Sequence, residues 1–289
     1  MNIANMNDFA VDSRALAGSL QTKLSAVRAA GFVQIVLSAQ DLVNHSGGVD
    51  AGVAAVRASG LRVMGFQAPS NFEGVAGPLH NYKLDVVKAM LGMCTALHCR
   101  LLVLPSSSLA SGSDTAALVR DLRQLAMLAI PMNIKIAYQG WTGGSMVKDY
   151  LAAWDLVCEA DMPNLGLCLD TYELLASDTP QAELLEDLDM LDPGKLFLVQ
   201  LADRLGIATE PWRVLPGDGE QRDALSAIVS ALHALGYRGD YNLAAFNTDY
   251  AQMPPQQVAR RAQTSALWLG QDVLQRSVPL PNQIRLRRA

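Results

Sequence analysis

The sequence predicts a single (β/α)8 barrel. Short apolar runs alternate with amphipathic stretches through eight cycles, the pattern of parallel strands joined by helical crossovers. Eight such cycles in 289 residues match a closed barrel, which needs about 250, better than an open doubly wound sheet. No Pro/Ser/Gly-rich linker divides the chain. Half of the residues are apolar and 18% are charged, enough for one large core.

The elements follow in order. The first strand is the vaguest and lies within residues 7–13. A helix near 20–30 ends at Gly31, and a second strand spans 33–37. Helix 49–59 is capped by Gly60, because glycine enters the left-handed conformation that ends helices at no steric cost. Strand 61–67, a loop over 68–78 and a helix near 81–97 follow, then strand 101–104. Asp114 suits the N-cap of the fourth helix. Strand 133–138 and helix 146–160 come next, then strand 165–170 and a short helix over 180–188. Strand 196–203 precedes helix 222–235, and strand 241–246 precedes helix 255–275. That last helix carries Val258, Ala262, Ala266, Leu269 and Val273 as a helical stripe. The barrel is assigned to 1–277, and 278–289 to an extended basic tail containing Val278-Pro279-Leu280-Pro281 and Arg285 to Arg288.

Charge and composition exclude several function classes. The formal net charge of −5 offers nothing to a phosphate backbone, so no nucleic-acid partner is expected. No apolar run reaches the length of a membrane span, and residues 1–10 lack the pattern of a signal peptide. Cys94, Cys99, Cys158 and Cys168 form no CxxC pair and lie in apolar surroundings. They read as buried free thiols of a cytoplasmic protein. His45, His80, His98 and His233 end no strand, and none is assigned as a base or ligand; His98 and His233 are placed late in their helices.

Barrels of this class build their sites at the C-terminal ends of the strands. The polar residues there are Tyr138 and Gln139 on the fifth strand and Asp170 on the sixth. Gln200 and Asp203 follow on the seventh, and Asn247 and Asp249 after the eighth. A polar side chain within an apolar strand is costly without a partner. Gln200, inside Phe197-Leu198-Val199-Gln200-Leu201, therefore either bonds a neighbouring strand end or faces a ligand. Asp170 either caps the next helix or serves the site at the strand ends. The turn Pro216-Gly217-Asp218-Gly219-Glu220 is a plain turn or an anion nest, and Arg213 before it is a surface arginine or a carboxylate fork.

Three of these stretches carry a resemblance. Asn164-Leu165-Gly166-Leu167-Cys168-Leu169-Asp170, Phe197-Leu198-Val199-Gln200-Leu201-Ala202-Asp203 and Gly236-Tyr237-Arg238-Gly239 resemble the 3-dehydroshikimate dehydratases of the xylose-isomerase-like sugar phosphate isomerase/epimerase superfamily. The 216–220 turn, the loop Asn71-Phe72-Glu73-Gly74 and Phe246-Asn247-Thr248-Asp249 fit as well, and the similarity runs over about 20–274. The resemblance implies a divalent-metal lyase that dehydrates 3-dehydroshikimate to protocatechuate. Its ion is held by a glutamate ending strand 5, an aspartate ending strand 6, a glutamine on strand 7 and a glutamate on strand 8. The aspartate carries over to Asp170 and the glutamine to Gln200.

The other two ligands do not carry over. Gln139 and Ala244 stand where the family has glutamates, Glu173 stands for a family histidine, and Val36 for a strand-2 glutamate. Arg213 matches an arginine that grips the substrate carboxylate. Hard cations such as Mn2+ or Mg2+ favour charged oxygens, and this set keeps one carboxylate unless Glu173 or Asp203 rebuilds the cage. The expected site is thus Glu173 and Arg213 as catalytic groups, with Tyr138, Arg213 and Gln200 against substrate. Asp170, Gln200 and Gln139 are a weak or absent metal set, and no tightly bound cofactor is expected. The ligand class is a small polyhydroxylated acid or sugar, and assembly as a homo-oligomer is left open. Two functions compete: a lyase or isomerase with an altered metal site, and a non-catalytic barrel that binds a related ligand. A DNA-repair endonuclease on the same fold is disfavoured by the acidic charge and the lack of histidine ligands.

Overall fold

The computed structural model describes residues 6–110, 112, 114–177, 179–206 and 212–275. In chain order the elements are β1 (Phe9–Asp12), α1 (Leu20–Ala29), β2 (Gln34–Ser38), α2 (Ala39–Val43), α3 (Gly48–Ser59), β3 (Arg62–Gln67), α4 (Gly77–Ala96) and β4 (Leu101–Pro105). They continue with α5 (Thr115–Ala129), β5 (Lys135–Gln139), α6 (Tyr150–Ala160), β6 (Leu165–Asp170), α7 (Thr171–Ala176), α8 (Gln181–Asp189) and β7 (Leu196–Leu201). The last are β8 (Asp203–Leu205), β9 (Trp212–Val214), α9 (Arg222–Leu235), β10 (Tyr241–Leu243) and α10 (Pro255–Trp268).

Eight parallel strands close in the order β1-β10-β7-β6-β5-β4-β3-β2, as the strand–helix alternation predicts. The antiparallel pair β8–β9 lies outside the barrel sheet. Alternation along each strand divides the core into two layers. Val11, Ile35, Phe66, Leu104 and Leu169 face the surrounding helices, while Ala10, Val36, Val103, Ala137, Cys168 and Leu198 fill the barrel interior. The interior tolerates little added volume. A Cβ on Gly166 of β6 would stand 2.4 Å from the Lys195 carbonyl oxygen.

Local chemistry sets the helix ends. The side chains of Ser19, Asp114 and Asp149 accept from the amides of Thr22, Ala117 and Ala152 at the starts of α1, α5 and α6. Gly60 and Gly236 end α3 and α9 at φ 69° and 107°. The eighth helix departs from expectation: α10 stops at Trp268 and Leu269–Val273 forms a π-turn. His98 lies past the end of α4, at φ 54°. Cys94, Cys99 and Cys168 are buried free thiols as expected, but Cys158 is exposed. No helix among the described residues is long and apolar enough to cross a membrane. The tail assigned to 278–289 lies outside the described residues.

Candidate active site at the barrel mouth

Strand alternation brings one last inward side chain from each barrel strand to the same end: Asp12, Ser38, Gln67, Pro105, Gln139, Asp170, Gln200 and Ala244. Register supports the ring, since Ser38 pairs with Gln67, Pro105 with Gln139, and Asp170 with Gln200. Above it opens a cavity of about 880 Å³, walled by Arg14, Trp141, Tyr172, Glu173, Trp212, Arg213 and Phe246.

Asp170 sits at the centre of a closed network. It is 3% exposed, and its two oxygens accept from the Arg213 Nη2 at 2.8 and 2.7 Å. The Gln139 Nε2 donates to one of them at 2.8 Å, and the Tyr172 amide to the other at 3.1 Å, making Asp170 the N-cap of α7. The capping reading of Asp170 from the sequence is met, and its charge is paired with Arg213. That guanidinium is fixed further by its Nε, which donates to the Ala244 carbonyl. The Tyr172 and Phe246 rings lie 5.0 and 4.6 Å from its centre. It thus stands beside the strand end that carries no glutamate.

A second arginine repeats the arrangement. Arg14 forms a fork on Asp12, with Nε–Oδ1 at 2.9 Å and Nη2–Oδ2 at 2.7 Å, and lies 4.4 Å from the Phe246 ring centre. Burial opposes ionisation of Asp12, but Arg14 outweighs it and holds the carboxyl below its ordinary range. Sequence reasoning missed this pair. An Asp-x-Arg at the end of the first strand was the available signal.

Glu173 faces the cavity from the first turn of α7 and accepts from the Thr142 amide at 3.0 Å. Burial, followed by the Asp170 charge, pushes its carboxyl above the ordinary range. It does not reach into the Asp170 network to rebuild a cage. Asp203 is likewise committed elsewhere. Its carboxylate accepts from the amides of Arg204, Gly217 and Gln221 at 2.7, 3.2 and 3.1 Å, so the 216–220 turn nests the protein's own anion.

Tyr138, expected against substrate, is a correction. Adjacent residues on a strand face opposite ways, so with Gln139 inward Tyr138 points into the layer beneath the helices. There its hydroxyl donates to Glu73 Oε1 at 2.8 Å, and it does not line the cavity. Gln200 does line it, and its Nε2 has no partner. Gln67, missed from the sequence, lines the cavity with both amide atoms unpartnered. The polar-in-apolar-strand argument that singled out Gln200 applies equally to Gln67 at the end of β3.

A family model described as xylose isomerase-like TIM barrel matches residues 24–269. The chain belongs to that family. A 3-dehydroshikimate dehydratase of Pseudomonas aeruginosa is 31% identical over 274 residues, covering 91% of this chain and 42% of the relative. The chain thus spans about two fifths of the length of the curated bacterial relatives it matches. A Neurospora crassa 3-dehydroshikimate dehydratase is 27% identical, covering 90% of this chain and 91% of its own length. A solved xylose isomerase-like TIM barrel/4-hydroxyphenylpyruvate dioxygenase fusion protein superposes with a TM-score of 0.82 at 27% identity, over 95% of this chain and 45% of that one.

The divalent ion that the resemblance implies does not fit the donors of this xylose isomerase-like barrel as they stand. Both Asp170 oxygens are taken by cationic or amide donors, Gln139 turns its NH2 to the carboxylate, and Ala244 offers no side-chain donor. Among the described residues, no three His, Cys, Asp or Glu side chains group as a metal set.

Proposed function

We propose that the barrel mouth binds a small cyclic polyhydroxylated molecule, a sugar or cyclic polyol, without a divalent cation. The observation that carries this reading is a pair of cavity-lining glutamines whose buried amide atoms have no partner within the protein. Gln67 offers a free donor and a free acceptor, and Gln200 a free donor. In the barrel order β3 and β7 lie diametrically opposite, so the two glutamines line the mouth from opposite sides. Hydroxyl groups, which both donate and accept, satisfy such amides. Trp141, Tyr172 and Phe246 supply the aromatic walls such rings pack against.

Charge favours a neutral ligand over an acid. Each arginine of the mouth already neutralises a buried aspartate, and Glu173 adds a further carboxyl. A ligand carboxylate at Arg213 would meet a guanidinium whose charge Asp170 already neutralises. The test is calorimetric titration of the metal-free protein with neutral cyclic polyols and monosaccharides, and with 3-dehydroshikimate. Neutral ligands should bind, and Gln67→Ala should weaken them about tenfold, the size of one or two neutral hydrogen bonds. Binding of 3-dehydroshikimate alone would refute the neutral class.

A catalytic reading has one specific observation in its favour. Glu173 is a cavity-facing carboxyl whose affinity for protons is raised, which suits a general base for a proton next to a carbonyl. Arg213 would then steady the developing oxyanion with its remaining donor capacity. Exchange of such a proton into deuterated water, abolished in Glu173→Gln, tests this step.

A further inference from the structure

We propose that Arg213 is the resident cation of this site: its guanidinium occupies the place of a divalent ion and excludes one, even when missing carboxylates are restored. The inference rests on the metal-free reading of the mouth and goes beyond it by naming the group responsible. Four contacts define the seat. The guanidinium meets both oxygens of Asp170, the carboxylate that the resemblance makes a metal ligand. It bonds the Ala244 carbonyl, at the strand end where a ligand glutamate is missing. It lies against Tyr172 and Phe246, which line the cavity wall beside it. The Arg213 side chain is only 9% exposed and Asp170 only 1%, so water does not separate the pair.

The seat is built for a planar cation rather than a spherical one. An Nη2 and an Nε on one rigid fork reach acceptors on two different strands, β6 and the end of β10, and the ring contacts suit a flat group. Gln139 agrees with this assignment. It points an N–H donor at Asp170, which completes the carboxylate's shell around a guanidinium but repels an incoming ion. Restoring glutamate at 139 and 244 is therefore not enough to recruit metal. A glutamate at 244 would arise beside the guanidinium and pair with it.

Mn2+ titration separates these possibilities, read by calorimetry and by the electron paramagnetic resonance of free Mn2+, with thermal melting to verify folding. Wild type and Gln139→Glu/Ala244→Glu should take up less than roughly a tenth of an equivalent. Adding Arg213→Met to that double variant should raise uptake to about one equivalent and make the melting temperature rise with Mn2+. Should the methionine variant fail to fold, Arg213→Gln in the same background replaces it. About one equivalent in wild type, or in the double variant with Arg213 intact, overturns the proposal. So does a folded triple variant that stays metal-free at roughly millimolar Mn2+. Loss of polyol binding with these metal results as expected would refute the ligand reading and leave Arg213 as the cation.

Discussion

Arg213→Met tests the electrostatic keystone of the mouth through stability alone. In the native protein Asp170 receives two contacts from Arg213, one from Gln139 and one from the Tyr172 amide. Methionine keeps the apolar stem and its packing against Tyr172 and Phe246, so the change chiefly removes the charge. What remains is a carboxylate 3% exposed with two donors and no cation bonded to it. Breaking a buried ion pair from one side costs roughly 3–5 kcal/mol, and the two surviving donors place this case near 3. The companion Asp170→Asn/Arg213→Met removes both charges, while asparagine retains the cap on Tyr172. It should recover all but about 1 kcal/mol, so removing the stranded charge regains about 2 kcal/mol. Urea unfolding followed by tryptophan fluorescence and far-ultraviolet circular dichroism measures both. A single variant within about 0.5 kcal/mol of wild type, or a double variant as unstable as the single, would refute the reasoning.

Three further outcomes follow from contacts near the mouth. Glu173 has a native affinity for protons above its ordinary value of 4.5, so its ionisation costs stability as pH rises through that window. Glu173→Gln should therefore melt higher than wild type at pH 8, with the gap closing by about pH 4; a pH-independent gap would contradict the burial argument. Asp203→Ala strips three amides of their acceptor at a fully buried position, and should cost roughly 2–3 kcal/mol in urea unfolding. Gly140→Ala would place a Cβ 1.9 Å from the Asp149 carbonyl oxygen, so a markedly lower melting temperature is expected, and an unchanged one would show that the backbone after β5 yields.

The barrel was legible because its signal is periodic. The β6 run Leu165–Asp170 and the helix Arg222–Leu235 have the limits read from sequence, being an unbroken apolar run with a charged end and an amphipathic stripe ended by glycine. The hairpin β8–β9 and the short helices α2 and α7 were not legible. Three-residue strands and single helical turns carry no period, and the Asp203 carboxylate that begins the hairpin bonds amides up to 18 positions away. Within the site, strand ends identified Gln139, Asp170 and Gln200. Tyr138 was assigned there against the parity of its own strand. The Arg213–Asp170 contact spans 43 positions, and no local pattern announces it.

The departures from the metal site gain sense when taken together as charge. The set that the resemblance implies, three carboxylates, a divalent ion and the arginine that Arg213 matches, balances to zero. One carboxylate facing one guanidinium also leaves none. Losing the ion while keeping glutamates at 139 and 244 beside Arg213 would bury two uncompensated charges, each costing several kcal/mol even after relaxation. Swapping the glutamates for Gln139 and Ala244 while leaving the ion in place would strip it of the charged oxygens hard cations favour. Only the two changes combined give a satisfied network, and that is the arrangement around Asp170. Its chemistry narrows accordingly. A guanidinium donates hydrogen bonds in a fixed plane and stays protonated, so it can orient hydroxyl and carbonyl oxygens but cannot generate a bound hydroxide. On the metal-free reading proposed above, a reaction at this mouth draws its base from the protein, and Glu173 is a carboxyl in the cavity wall that could supply it.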